Sequence, residues 1–272
     1  CELRVDEKHN QQDLEAYVRH ILRQRVKNEL SLEDIEADAE ATFPGLNMKG
    51  KLQPLEKALV ASTEAYNVKM RPIMKNDPDY AQLCSDVAEL RPSDLVQPTN
   101  DFIELYGDAG LTQAKLAEFL ATGWQADKNP KLSFLQHPVP GTALPWIEDA
   151  DNPGVKGKER AREKMEKDYG GNANKLKDLS RVTLRFNSCG GIMAALEQLK
   201  ATDWMTIVQI KNKFASPTPM GYRDINICVQ VQLSERVHIC EMQLNLNDIL
   251  EAKAIAHEAY EKVRSALPDI CK

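Results

Sequence analysis

Through residues 1–125 apolar positions recur at intervals of three and four, the spacing of one helix face, and no run alternates as a strand would. Leu14, Val18, Ile21, Leu22, Val26 and Leu30 define an amphipathic helix from Asp13 to Leu30. Ser31, with Asp34 three residues on, reads as a capping box for a shorter helix to about Ala41, closed by Phe43-Pro44-Gly45. Pro54 at a first-turn position opens a third helix with Leu55, Leu59, Ser62 and Tyr66 on one face, and Pro72 is expected to stop it. Asp77-Pro78 introduces a fourth, whose buried stripe is Tyr80, Leu83, Cys84, Val87 and Leu90. Thr112 is expected to cap a fifth, carrying Leu116, Phe119 and Leu120 and ending at Gly123.

The pattern changes after residue 126. Prolines and glycines punctuate Asp127 to Gly157, so this stretch reads as an ordered linker, with Trp146 and Ile147 as candidate anchors. Beyond it come a charged helix from Lys156 to Tyr169, a strand from Leu179 to Phe186 and a Cys189-Gly190-Gly191 turn. A helix from Ile192 to Lys200, a strand from Ile207 to Lys211 and two alternating strands follow. In the first of those two, Ile225, Ile227, Val229 and Val231 face opposite to Asn226, Cys228, Gln230 and Gln232. Ser234-Glu235-Arg236 is short enough to fold it back as a hairpin onto Val237 to Gln243. A final helix begins near Asn247, with Ile249, Ala252, Ala256, Val263 and Leu267 as its stripe. The expected fold class is therefore α+β: an all-helical domain over 1–126, a Pro-rich linker over 127–155, and over 156–272 a small mixed sheet of about four strands with packed helices.

Composition narrows the function classes. No apolar run approaches the roughly 20 residues of a membrane span, and mean hydropathy is −0.47, so we expect a soluble chain. A net charge of −6 argues against a general nucleic-acid grip, which needs a dominant positive field. Six cysteines without a CxxC or a His pair at metal spacing indicate neither a disulfide framework nor zinc, and a reducing compartment, cytosol or plastid, is the expectation. The chain opens on Cys1 and not Met, so the expectation is that either a leader has been lost ahead of it or the sequence starts at an ordered point. His9, His20 and His137 are isolated and read as plain surface or core-edge residues.

Two features carry candidate chemistry. Glu241 falls in phase with Val237 and Ile239, so it either finds a hydrogen-bonding partner at a strand end or is functional. The helix from Lys156 is locally positive, with Arg160, Arg162 and Lys164 among its cations; it is either a solvated face of ion pairs or a phosphate-steering helix. Upstream of the hairpin, Pro217, Pro219 and Gly221 fix a loop that presents Tyr222.

The succession Lys211-x3-Ala215-x-Pro217-x3-Gly221-Tyr222-Arg223, then Glu241-x-Gln243, then Glu251 and His257, resembles the synthetase domain of the RelA/SpoT family. Within that family it looks like the divergent proteins of algae and other microbial eukaryotes. The match covers about Lys156 to Arg264. The resemblance implies a nucleotidyltransferase-like fold that moves pyrophosphate from ATP to GDP or GTP, with magnesium as cofactor if the site is active. It implies Asp178 and Glu241 as catalytic residues and metal ligands, Gln243 beside them, Tyr222 stacking on guanine, and Lys211, Arg160, Arg162, Lys164 and His257 as nucleotide-binding residues. The departures lie in the phosphate-binding cations: Thr183 stands where the family has an arginine, with Arg185 on the same strand face as a substitute, and Thr218 and Asn245 replace a lysine and an arginine. Two readings follow. In one the domain is a degenerate binding or structural module, with residual ATP- or GTP-type nucleotide binding and a protein partner engaged through the helical first half. In the alternative it is an active guanosine tetra- or pentaphosphate synthetase.

Overall fold

The first long helix of the computed structural model, which describes residue 37 and residues 53–122, 149–218 and 221–270, is α1 (Gln53–Asn76). It does not stop at Pro72 but runs one further turn. Proline removes a single N–H donor from the ladder, and the turn beyond it is closed by Asp77 N–H donating to Ile73 O at 2.9 Å. The helices expected over 13–30 and 31–41 (Ala37 apart), the three isolated histidines, Gly123 and residues 127–148 with Trp146 and Ile147 lie outside the described residues.

After α1 come α2 (Tyr80–Asp86), α3 (Phe102–Thr122), β1 (Asp149–Asp151), α4 (Lys158–Tyr169), a 3-10 turn (Ala173–Lys175), β2 (Arg181–Phe186) and α5 (Cys189–Lys200). Then follow β3 (Met205–Asn212), β4 (Ile225–Gln232), β5 (Val237–Leu246) and α6 (Asn247–Ile270). The architecture is α+β, with one five-stranded mixed sheet in the order β1-β2-β5-β4-β3. β2 and β5 are parallel and the other pairs antiparallel. The fifth strand, β1, comes from the segment expected to be linker.

By internal contacts the chain divides into two compact units, Cys1–Pro72 with Pro217–Tyr222 and Asp248–Lys272, and Ile73–Ser216 with Arg223–Asn247. This division cuts across the segments 1–126, 127–155 and 156–272. In the first unit α1 buries Ala58, Ser62, Tyr66 and Met70, a four-residue repeat, and α6 buries Ile249, Ala252 and Ala256. Lys69 ties the two helices by ion pairs to Glu251 at 2.6 Å and Asp248 at 3.5 Å.

Three further expectations are corrected within the second unit. α3 begins ten residues before Thr112, because Asp101 Oδ1 accepts the N–H groups of Ile103 and Glu104; Thr112 is a buried mid-helix residue. α2 ends at Asp86, since Asn212 Nδ2 takes the carbonyls of Leu83, Cys84 and Val87, and Leu90 pairs instead with Ile210 at the edge of β3. Gly190 and Gly191 form the first turn of α5 and not a separate turn. Ser188 Oγ accepts from Gly191 N–H, Asp77 Oδ2 accepts from Cys189 N–H at 2.8 Å, and a Cβ on Gly190 would collide with the Asp79 carboxylate.

The sheet is two-faced. Val182, Leu184 and Phe186 of β2 align with Met242, Leu244 and Leu246 of β5, while Ile227, Ile225 and Val229 of β4 align with Met242, Leu244 and Cys240, all buried. α5 packs against this apolar face, with Gly191 close to Phe186. In β3 a bulge between Ile207 and Gln209 shifts the alternation, so that both Ile207 and Ile210 join the apolar side while Gln209 turns to the other. His238 is fully buried on the apolar side with both ring nitrogens unbonded, and burial pushes its pKa down to about 4.

Neutral His238 therefore favours the folded state fully above the unfolded-state pKa of about 6.5, and this contribution falls as pH drops through the interval down to about 4. Lowering the pH from 7 to 5 is expected to cost about 2 kcal/mol through this residue. Urea melts at both pH values, compared with His238→Leu, check it: the variant should lose that part of the pH dependence.

Candidate functional site

The face opposite the apolar one is polar. Arg181, Thr183 and Arg185 of β2 stand beside Glu241, Gln243 and Asn245 of β5. Asn226 and Cys228 of β4 stand opposite Gln243 and Glu241, and Lys211 and Gln209 of β3 lie beyond them. The in-phase carboxylate of β5 thus belongs to a polar sheet face, on which Val237 and Ile239 are the apolar exceptions.

Parallel pairing sets the start of β2, which Asp178 precedes, beside Glu241 in the middle of β5. Glu241 is in register with Arg181, its N–H donates to Ser180 O at 3.0 Å, and Asp178 precedes Ser180 by two residues. Two residues earlier on β5, where β2 has not yet begun, Gln97 replaces the neighbouring strand: its side-chain amide donates to Ile239 O and accepts from Ile239 N–H. Glu241 Oε1 accepts from Gln243 Nε2 at 2.7 Å.

Asp178 is held differently. Its Oδ2 accepts from Lys156 Nζ and from Lys164 Nζ, both at 2.8 Å, while Oδ1 is buried without a hydrogen bond. Its side chain is 15% exposed. Burial alone would raise its pKa, but the two ammonium groups outweigh that and hold the carboxyl below the usual range. The same pairing raises Lys164 against its own burial, with Glu241 contributing. Lys156 is fixed by its main chain, whose N–H donates to Leu179 O and whose carbonyl accepts from Tyr106 Oη.

Around this pair lie further cations. Lys177 has its pKa pushed down, first by burial and then by Lys211 and Lys164, with the Cys228 thiol opposing. Burial, Glu241 and Asp178 push the Cys228 thiol up to about 11, against Lys177 and Lys211, so it stays a thiol and donates to Gln209 Oε1. Arg181 Nε is buried with no hydrogen-bond partner. Reasoning from sequence placed Lys156 only among the cations of the charged helix and Arg181 only as a partial replacement for missing phosphate cations, and assigned no role to Lys177, whose one signal is that it directly precedes Asp178.

The helix α4 divides its expected phosphate cations. Lys164 reaches Asp178, whereas Arg162 is exposed over the Phe102 ring at 5.3 Å and Arg160 is exposed. Lys167 and Glu163 form an i,i+4 pair, the solvated-face arrangement.

Tyr222 and His257 belong to the other compact unit. The loop before Tyr222 is closed by Gly221 N–H to Thr218 O, Thr218 N–H to Tyr222 O, and Tyr222 N–H to Thr218 Oγ1. Gly221 has φ +85°, and a Cβ there would sit 3.3 Å from Thr63 Cα, so the position requires glycine. The Tyr222 ring meets Tyr66 edge-on at 5.7 Å and carries Lys253 Nζ at 5.2 Å from its centre. It is half-buried, and its π-face is engaged by a cation. His257 is exposed on α6.

Among the described residues no group of three or more His, Cys, Asp or Glu side chains could hold a metal ion. Magnesium demands a near-octahedral set of oxygens. Here one of the two carboxylates has an oxygen shared by two ammonium groups, which disfavours a divalent cation beside it.

No protein-family model and no curated protein matches the chain. Among solved structures it is similar to small alarmone synthetase 2 from Bacillus subtilis, with 20% identity, a TM-score of 0.46, and coverage of 61% of this chain and 83% of that one. It is also similar to small alarmone synthetase 1 from Bacillus subtilis bound to its product pppGpp, with 18% identity, a TM-score of 0.43, and coverage of 62% and 87%. A GTP pyrophosphokinase family protein from Streptococcus pneumoniae gives 15% identity, a TM-score of 0.40, and coverage of 61% and 89%.

Removing the Asp178 carboxylate leaves Lys156 and Lys164 facing one another. Asp178→Asn is expected to cost about 3 kcal/mol at pH 7. Because the folded carboxyl is held below the unfolded value of 3.8, the wild-type advantage is full above that pH and shrinks as pH falls below it. Denaturant melts of both proteins at pH 7 and pH 3 measure the difference.

Proposed function

We propose that this chain is a divergent RelA/SpoT-like domain that binds a nucleotide polyphosphate on the polar sheet face and makes little or no guanosine tetra- or pentaphosphate. It acts as a binding or structural module, with a protein partner on its helical first half. The observation that carries this reading is the double lysine clamp on Asp178, which ties up the carboxylate that the motif resemblance assigns to a metal. Thr183 supports it from the neighbouring strand face, where an arginine is expected, as do Thr218 and Asn245. Each cation missing from a phosphoryl-transfer site raises the barrier by about 3 kcal/mol. Three such losses outweigh what Arg181 or Arg185 could restore. Four free cysteines among the described residues fit the reducing compartment, cytosol or plastid, that belongs to this reading.

The test is incubation of the purified protein with labelled ATP, GDP or GTP and magnesium, followed by thin-layer separation of the products. No product above background is expected. Turnover of about one per second, abolished by Glu241→Ala, would restore the synthetase.

A further inference from the structure

The charges around Asp178 do not cancel. Its carboxylate is matched twice over by Lys156 and Lys164, and Glu241 is the other acid that acts on Lys164. Lys177 is a further cation, repelled by both Lys211 and Lys164, and Arg181 adds a buried guanidinium Nε–H with no acceptor. Mutually repelling, partly desolvated cations and an orphaned buried donor are costly to the protein alone. An anion lowers the repulsion among these cations; a divalent cation raises it.

The cations are also spread out. Arg181 stands on β2 and Lys211 on β3, three strand steps away in the order β2-β5-β4-β3, or about 14 Å. Such a spread suits a chain of linked phosphates better than one orthophosphate. Lys156 and Lys164 are held in place on the side nearest Asp178, by the Lys156 main-chain bonds and by the Tyr169 ring 5.6 Å from Lys164 Nζ.

We propose that this face is a metal-independent site for a linear polyphosphate group, in which Lys156 and Lys164 take the charge-neutralising place of a divalent ion. The proposal rests on the nucleotide-binding reading above and specifies its ligand as the metal-free polyphosphate. Free polyphosphate presents its full charge to the lysines and Arg181, whereas its magnesium complex presents less and brings a divalent charge toward ammonium groups. Affinity is therefore greater without magnesium than with it, the reverse of a site built on a carboxylate-held metal.

The experiment is calorimetric titration of the full chain with sodium tripolyphosphate, in EDTA and again with magnesium in excess over ligand, and with orthophosphate as a control. Binding in EDTA, about tenfold weaker with magnesium, is expected from the loss of ligand charge, with orthophosphate much weaker than either. Lys177→Met and Lys211→Met, both at half-buried positions, should each weaken binding in EDTA about tenfold, with melting curves showing that the variants fold. Manganese alone, followed by electron paramagnetic resonance, should show no stoichiometric uptake. Tripolyphosphate or nucleotide binding that requires magnesium, or stoichiometric manganese uptake, overturns metal independence and leaves the nucleotide reading standing. Binding indifferent to both lysine variants overturns the placement of the ligand. Absence of binding for tripolyphosphate, ATP and GTP in both conditions overturns this proposal and the nucleotide reading together.

Discussion

Parallel pairing of β2 with β5 is the constraint on which the candidate site depends. Strands that run the same way cannot be joined by a tight turn, and here the chain passes through α5, β3 and β4 between them. The register sets Arg181 beside Glu241, so the residues that lead into β2, Lys177 and Asp178, come to the same sheet end as the middle of β5. A slip of one residue would carry the polar set of β2 to the apolar face. Three well-buried side chains per strand on that face, from Val182 to Phe186 and from Met242 to Leu246, hold the register.

Around that pairing the structure resolves its polar demands with long-range side-chain amides. Gln97 substitutes for a strand beside Ile239, Gln113 exchanges hydrogen bonds with the main chain of Arg181, and Asn212 closes α2. Each satisfies backbone groups at the point where regular structure stops, which is where burial without a partner would cost most. Asp178 is resolved by charge, with two ammonium groups on one oxygen. That solution ties the loop before β2 to Lys156 and to α4.

Local pattern was enough to read the β4–β5 hairpin. Ile225 to Val231 alternate cleanly, and the Leu233 N–H to Arg236 O bond closes the turn where Ser234-Glu235-Arg236 predicts it. The charged helix, β2 and the start of α6 were legible for the same reason, and β3 was legible from its apolar residues although a bulge between Ile207 and Gln209 breaks its alternation. The Gly221-Tyr222 loop was legible from its prolines and glycine. What misled was capping and breaking chemistry read one residue at a time. Pro72 costs one hydrogen bond and is carried inside α1, and Thr112 is a buried polar residue and not a cap.

The sequence by itself determined which residues alternate, where the hairpin turns and which side chains could carry chemistry, because those depend on neighbours within a few positions. Tertiary structure alone decided that Asp178 belongs to Lys156 and Lys164, that Arg181 stands beside Glu241, and that Asp149–Asp151 adds an edge strand. It also divided the expected nucleotide residues, gathering Asp178, Glu241, Gln243, Lys164 and Lys211 in one unit and leaving Tyr222 and His257 to the other. The physical reason is that charge pairing and strand register are set by distance in space. Residues as far apart as 22 positions for Lys156 and Asp178, and 60 for Arg181 and Glu241, carry no shared period in the chain that could announce their meeting.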